Sequence, residues 1–299
     1  MAEGASATGS NDRDQVEFLG RDGNRLVADA AGEPDGPPVV LLHGGGQTRH
    51  AWGTTLEHLG RHGWRAYSVD LRGHGASDWA SDGDYTLQAF AGDVRALAAS
   101  FEVPPALVGA SLGGISSLSA IGHNPDKTVA SALVLVDVAT RMEPAGRDRI
   151  GDFMRRNMEE GFASLEEVAD AIAAYNPHRP RPTDYSGLRK NLRERNGRWY
   201  WHWDPAFITG RFGDTDETRT SIIDPASLQR AAQSLRVPTL LVRGRMSDLL
   251  SEQGAREFLA LVPHAELADV AGAGHMVAGD RNDLFNDAVV DFLGRTRQS

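Results

Sequence analysis

Four short segments of this chain, Val39 to Leu42, Ala106 to Gly109, Ala132 to Val136 and Thr239 to Val242, are apolar with almost no interruption. A strand with one wet face alternates apolar and polar residues, so a continuous apolar run suits a strand covered on both faces, as in a parallel sheet. The stretches between and after these runs carry helical spacing. Phe90, Val94 and Leu97 place one apolar face on Leu87 to Ser100, and Trp52 to Leu59, Leu112 to Ile121, Glu252 to Leu261 and Leu284 to Leu293 also read as helices. Arg65 to Val69 and Ala265 to Val270 read as further strands, and Val16 to Leu19 and Arg25 to Ala28 as two short ones around the turn Asp22-Gly23. This alternation predicts an α/β fold with a mostly parallel central sheet and helices on both faces.

The rhythm breaks once. Arg141 to Gln233 is rich in Arg, Glu, Asn and Trp, with helical periodicity over Ile150 to Met158 and Leu165 to Ala174, and the short buried runs resume after Pro238. The expected organisation is therefore a disordered tail over 1–14, a core of 15–140 and 235–299, and an inserted helical cap over 141–234. The tail is small and polar, without the apolar segment of a signal peptide. No run approaches the roughly 18 apolar residues needed to span a bilayer, so a cytoplasmic protein without a membrane partner is expected.

Composition narrows the chemistry. The 299 residues suffice for a large core without staples. There is no cysteine, which excludes thiolate metal sites, disulfides and a cysteine nucleophile. A formal net charge of −10 argues against a nucleic-acid partner. The arginines at 179, 181, 189, 193, 195 and 198 are flanked by acidic residues and read as a solvated surface. No H-E-x-x-H or comparable ligand spacing occurs, so neither metal nor cofactor is expected.

Gly109-Ala110-Ser111-Leu112-Gly113 joins an expected strand to an expected helix. A serine on such a tight turn projects Oγ outward, and the glycines two before and two after leave room for the turn. The helix start aims free N–H groups at a developing oxyanion. Ser111 is the expected nucleophile. His43-Gly44-Gly45-Gly46 follows the strand that should lie beside it, so the N–H groups of Gly45 and Leu112 are the expected oxyanion hole, with Gly46 as the fallback. His43 is expected to brace this loop.

Of ten histidines, His275 in Gly272-Ala273-Gly274-His275-Met276 has the setting of a general base, a flexible loop after the last strand. The acid that orients it should fall between Ser111 and His275 in the chain. Asp248, shortly after Thr239 to Val242, is the expected acid, and Asp137, at the end of Ala132 to Val136, is the alternative.

Together with Asp70-Leu71-Arg72-Gly73-His74-Gly75-Ala76-Ser77, these motifs resemble the α/β-hydrolase superfamily, and most of all its small bacterial esterases, lactonases, perhydrolases and C–C hydrolases. The resemblance covers about 200 residues of the core and implies the α/β-hydrolase fold. It also implies a serine hydrolase, since the epoxide hydrolases and haloalkane dehalogenases of this superfamily carry Asp at the nucleophile position. The insert matches no family motif. Its run Trp199-Tyr200-Trp201-His202-Trp203 would place three tryptophans on one side of an extended strand. Trp199, Trp201 and Trp203, with Trp52 and Met276 beside the catalytic loops, are the expected substrate-binding residues. The expected function is hydrolysis of a medium-sized, largely apolar or aromatic ester or lactone through an acyl-enzyme, by a monomer or homodimer acting on a small molecule. The alternatives are C–C hydrolysis of a vinylogous diketone, assisted by Arg189 or Arg193, cofactor-free perhydrolysis, and a ligand receptor on a hydrolase scaffold.

Overall fold

The structure is a computed structural model that describes residues 14–124, 127–177, 180–209, 224–275, 277 and 282–297. In chain order, β1 (Asp14–Leu19), β2 (Arg25–Ala31), β3 (Pro38–Leu42), α1 (Gly53–Arg61), β4 (Arg65–Val69), α2 (Leu87–Ala98), β5 (Ala106–Ala110), α3 (Leu112–Gly122) and β6 (Ala132–Val136) form the first part. The last part comprises β9 (Thr239–Gly244), α9 (Glu252–Leu261), β10 (Glu266–Val270) and α10 (Asn282–Thr296). The strands make one eight-stranded sheet in the order β1-β2-β4-β3-β5-β6-β9-β10. β1 pairs β2, and β2 pairs β4, antiparallel; every other neighbour is parallel.

The apolar runs are covered on both faces, as expected. On β3, Val40 and Leu42 pack into a layer with α2, α3 and α9, while Val39 and Leu41 pack on the opposite side with α1 and α10. Because all five central strands run the same way, the loops after β3, β5, β6 and β9 emerge along one edge, where an open parallel sheet places its ligand.

Between β6 and β9 lie α4 (Pro144–Arg155), α5 (Leu165–Tyr175), α6 (Ser186–Arg189), β7 (Leu192–Arg195), β8 (Arg198–Trp201), α7 (Pro205–Thr209) and α8 (Pro225–Gln233). Helix α5 begins at Ser164, whose Oγ accepts the Glu167 N–H, while the Glu167 carboxylate reaches back to the Ala163 N–H.

Three expectations need adjustment. The insert is not wholly helical: β7 and β8 form an antiparallel hairpin around Asn196-Gly197, both with positive φ, the backbone that a tight hairpin turn requires. Helix α8, within the segment expected as cap, packs its buried Leu228, Ala231 and Ala232 on the core side against α3. Asp14, assigned to the tail, opens β1 opposite Ala30; the rest of that expected tail, 1–13, lies outside the described residues.

Candidate active site

Ser111 sits between β5 and α3 with φ 45° and ψ −111°. Left-handed backbone of this kind costs a non-glycine residue roughly 1–3 kcal/mol and persists only where its surroundings enforce it. Here they do. The Ser111 N–H donates to Val136 O at 3.3 Å, and the Gly113 N–H to His43 O at 3.1 Å. The turn closes so tightly that a Cβ at Gly109 would fall 2.5 Å from Gly113 C, and one at Gly113 would fall 2.3 Å from Leu42 O. The G-x-S-x-G spacing is thus a steric requirement of the turn.

The acid beside His275 is Asp137. Its Oδ2 lies 2.7 Å from His275 Nδ1 and also accepts the Ser247 hydroxyl, while Oδ1 accepts the Gly244 N–H at 3.0 Å. The carboxylate is fully buried, and its backbone is pinned by a 2.7 Å bond from its N–H to Val242 O. Asp137 also has positive φ, 52°, so two neighbouring strands of the sheet, β5 and β6, are each followed directly by a non-glycine residue of this kind. The expectation that Asp248 orients the imidazole does not hold in the structure. Its side chain is 41% exposed and pairs with Arg149 at 2.8 Å. The loop after β9 presents Ser247 to the imidazole's partner instead, and Asp248 turns outward. Ser247 was not anticipated; its nearness to Asp137 depends on the β6–β9 pairing, which no local pattern encodes.

The loop after β3 lies against the serine: a Cβ at Gly44 would be 3.4 Å from Ser111 Cβ. Its N–H groups are almost all engaged. That of Gly44 donates to Gln47 Oε1 at 3.0 Å, that of Gly46 to His74 Nε2 at 3.1 Å and that of Gln47 to Gly44 O at 3.1 Å. Gly46 therefore does not serve as the fallback donor. The Gly45 N–H, like that of Leu112 at the first position of α3, has no acceptor among the described residues. Its direction is also held, because a peptide group is planar and the Gly44 carbonyl of that unit accepts from His43 Nδ1 at 2.8 Å and from the Gln47 N–H. The bracing role expected of His43 is what its contacts show.

His43 and His74 owe their protonation to geometry. The Leu71 N–H donates to His43 Nε2 at 3.0 Å and the Gly46 N–H donates to His74 Nε2. An N–H can only donate, so each ring carries its proton on Nδ1 and gives it to a carbonyl, Gly44 O and Arg72 O respectively. Burial pushes the His43 imidazole below the ordinary histidine range.

Above the loop, a Cβ at Gly45 would be 3.4 Å from Phe207 Cζ, and one at Gly46 would be 2.9 Å from Met154 Cε and 3.3 Å from Trp203 Cζ3. Trp203 stacks on Trp201 with ring centroids 4.9 Å apart, and its buried indole nitrogen has no hydrogen-bond partner among the described residues. The other expected substrate contacts are placed differently. Trp201 donates its indole N–H to Arg156 O at 3.1 Å within the insert, and Trp199 is half-buried beneath the Arg189 guanidinium. Trp52 is a core residue packed on Phe285 of α10, on the α1 side of the sheet. Met276 lies outside the described residues. Arg189 and Arg193 are exposed and stacked on Trp199 and Trp79. Met154 and Phe207 carry no motif; their position over Gly45 and Gly46 arises from how α4 and α7 pack. Among the described residues no group of three or more acidic or histidine side chains is placed to hold a metal ion, and no helix is long and apolar enough to cross a membrane.

Comparison with known proteins bears on this arrangement. A family model described as an alpha/beta hydrolase family matches residues 39–288. Esterase Rv0045c of Mycobacterium tuberculosis (strain ATCC 25618 / H37Rv) is 32% identical over 255 residues, which cover 82% of this chain and 78% of that one. The 3-hydroxybutyrate-oligomer hydrolase of Cupriavidus necator (strain ATCC 17699 / DSM 428 / KCTC 22496 / NCIMB 10442 / H16 / Stanier 337) is 27% identical, covering 84% of this chain and 87% of its own. The crystal structure of E-2-(acetamidomethylene)succinate hydrolase shares the fold with a TM-score of 0.80 at 21% identity, covering 94% of this chain and 100% of that one.

Proposed function

Since the chain belongs to the alpha/beta hydrolase family, we propose that it is a serine hydrolase that cleaves a carboxylic ester or lactone through an acyl-enzyme on Ser111. That it acts on esters accords with relatives named as esterases and hydrolases. The observation that carries the serine reading is the Ser111 backbone, held at φ 45° at the mouth of the sheet edge: strain of this size is retained where it presents a reactive group.

The chemistry follows from the hydrogen bonds. Asp137 accepts a hydrogen bond from the N–H at His275 Nδ1, which leaves Nε2 as the basic nitrogen. Nε2 takes the Ser111 proton as Oγ attacks the ester carbon. The tetrahedral oxyanion is received by the N–H groups of Gly45 and Leu112, fixed before substrate arrives. Such donors typically contribute about 100-fold to 1000-fold each, because no reorganisation is needed at the moment of reaction. Collapse expels the alcohol with the proton from Nε2, and water, activated by the same nitrogen, releases the acid. Ser247 and the Gly244 N–H hold the Asp137 carboxylate against rotation. Met154, Trp203 and Phe207, all from the insert between β6 and β9, lie against Gly45 and Gly46, which supports reading this insert as a cap over the site. The substrate class is therefore a medium-sized, largely apolar ester or lactone.

The test is hydrolysis of a p-nitrophenyl ester series from acetate to decanoate by the wild type and by Ser111→Ala. Repeated turnover by the wild type and a loss of about 1000-fold or more in the variant is the expected result. A loss under tenfold would overturn the serine assignment.

A further inference from the structure

The oxyanion loop is held by three histidines, and one of them comes from the cap. His202 follows β8 and is buried between the two core loops after β3 and β4. Its Nδ1 accepts the Gly75 N–H at 2.8 Å, so the ring proton must sit on Nε2. Nε2 faces Gly46 O at 3.4 Å and donates to it. The N–H of the same glycine is held from the other side by His74 Nε2. Both peptide groups of Gly46 are thus gripped by imidazoles, one from the core and one from the cap, on a residue whose φ of +77° is backbone that favours glycine. Gly45, whose N–H has no acceptor among the described residues, is the adjacent residue.

Further bonds tie the same stretch of cap to the same core loops. The Asp204 N–H donates to Gly73 O at 2.9 Å, and the Asp204 carboxylate accepts the Tyr85 hydroxyl at 2.6 Å. Thr48 Oγ1 donates to Asn191 Oδ1 at 2.8 Å, and the Asn191 carbonyl accepts the His202 N–H at 3.3 Å. The cap is docked by these contacts, and Met154 and Trp203 pack on Gly46, but among the described residues His202 is the cap residue that hydrogen-bonds the glycine next to the oxyanion donor.

We infer that His202 is a positioning residue, through which the seating of the cap sets the orientation of the Gly45 and Gly46 peptides and so the strength of the oxyanion hole. The inference rests on the serine-hydrolase reading. It implies that a correctly seated cap completes the catalytic machinery and does more than line a pocket.

Two substitutions separate the two bonds of the ring. Asn can present an acceptor where Nδ1 stands, keeping the Gly75 bond and losing that to Gly46; Gln can present an N–H where Nε2 stands, with the opposite effect. Kinetics on p-nitrophenyl butyrate, the rate of Ser111 labelling by a fluorophosphonate, and thermal melts should be measured for wild type, Ser111→Ala, His202→Asn and His202→Gln. The expected result is that His202→Asn loses at least about tenfold in kcat and in labelling rate with KM changed less than about threefold, while His202→Gln keeps both rates within about threefold. Equal rates in all three serine-containing proteins, or losses in both variants that simply follow their melting temperatures, would overturn the inference. If Ser111→Ala hydrolyses the ester as fast as wild type, the serine reading fails separately. In that event amide hydrogen exchange at Gly46 decides for His202: faster exchange in His202→Asn than in His202→Gln supports the clamp, and equal exchange removes it.

Discussion

The Nδ1 atom of His275 lies 2.7 Å from Oδ2 of Asp137, across 138 residues of sequence. The two residues leave different strands, β10 and β6, with β9 between them in the sheet. Ser247, on the loop after that middle strand, hydrogen-bonds the same carboxylate oxygen. The pair is therefore bridged from above by the loop that a local reading of the motif would credit with the acid itself.

This arrangement separates the two candidate acids experimentally. Asp137→Asn should lower kcat for ester hydrolysis by about 1000-fold to 10,000-fold, since a neutral amide no longer stabilises the imidazolium or enforces its tautomer. Asp248→Asn should stay within about twofold of wild type, because it removes only a surface ion pair with Arg149. Steady-state kinetics on one p-nitrophenyl ester distinguishes them; the reverse order would reassign the acid.

Ser247→Ala should reduce kcat by roughly tenfold with little change in KM, as a hydrogen bond to a charged group contributes about 1.5–3 kcal/mol. The same oxygen accepts the N–H groups of Leu249 and Leu250, so thermal stability should fall as well. Ser247→Thr, which keeps the hydroxyl, should recover part of the rate. Equal losses for Ala and Thr would indicate a purely steric role.

Relief of the strained elbow is measurable as stability. Ser111→Gly abolishes the nucleophile and accepts φ 45° without penalty. After the entropy lost on ordering a glycine, a net gain of about 1 kcal/mol is expected, or about 2 °C in the melting midpoint for a chain of this size. A lower midpoint than Ser111→Ala would argue against strain at this position.

Met154 is buried over Gly46. Met154→Ala should extend the preferred acyl chain in the p-nitrophenyl series by opening space beside the oxyanion loop, at a stability loss of about 2–5 kcal/mol. An unchanged chain-length profile would place the acyl group elsewhere.

Burial pushes the His202 imidazole down to about 3, well below the ordinary histidine value near 6.5. Its folded-state value is the lower one, so the unfolded chain binds the proton first as pH falls. The stability this group contributes is complete above about pH 6.5 and is lost progressively toward pH 3. Denaturant melts between pH 5 and 6.5 should show a slope about 1.4 kcal/mol per pH unit smaller in His202→Gln than in wild type below the unfolded value. Parallel slopes would mean that the ring takes up its proton over the same pH range in the folded and unfolded protein.

Much of this molecule can be read along the chain, because the features concerned are local. Uninterrupted apolar runs such as Ala132–Val136 state that both faces of a strand are buried, and the glycines flanking Ser111 state that a strand must meet a helix within van der Waals limits. Ser111, His275 and the loop bearing Gly45 stand in such settings. The composition of the insert is also local information, and it marks a change of architecture near residue 140, though not the hairpin, which turns on the positive φ of Asn196 and Gly197.

The choice between Asp137 and Asp248 was different in kind. Both follow apolar strands, and both lie between Ser111 and His275 in the chain, so the motifs allow either. The choice depends on strand order and on a loop's direction: β6 stands next to β5, Asp137 directly after β6 is buried with φ 52°, and the loop after β9 delivers a serine to the carboxylate while sending Asp248 to Arg149. The burial of Trp52 on the α1 side, the roof made by Met154 and Phe207, and the grip of His202 on Gly46 have the same origin. Each is a contact between residues far apart in sequence, and only the packing of the folded chain brings their partners within reach.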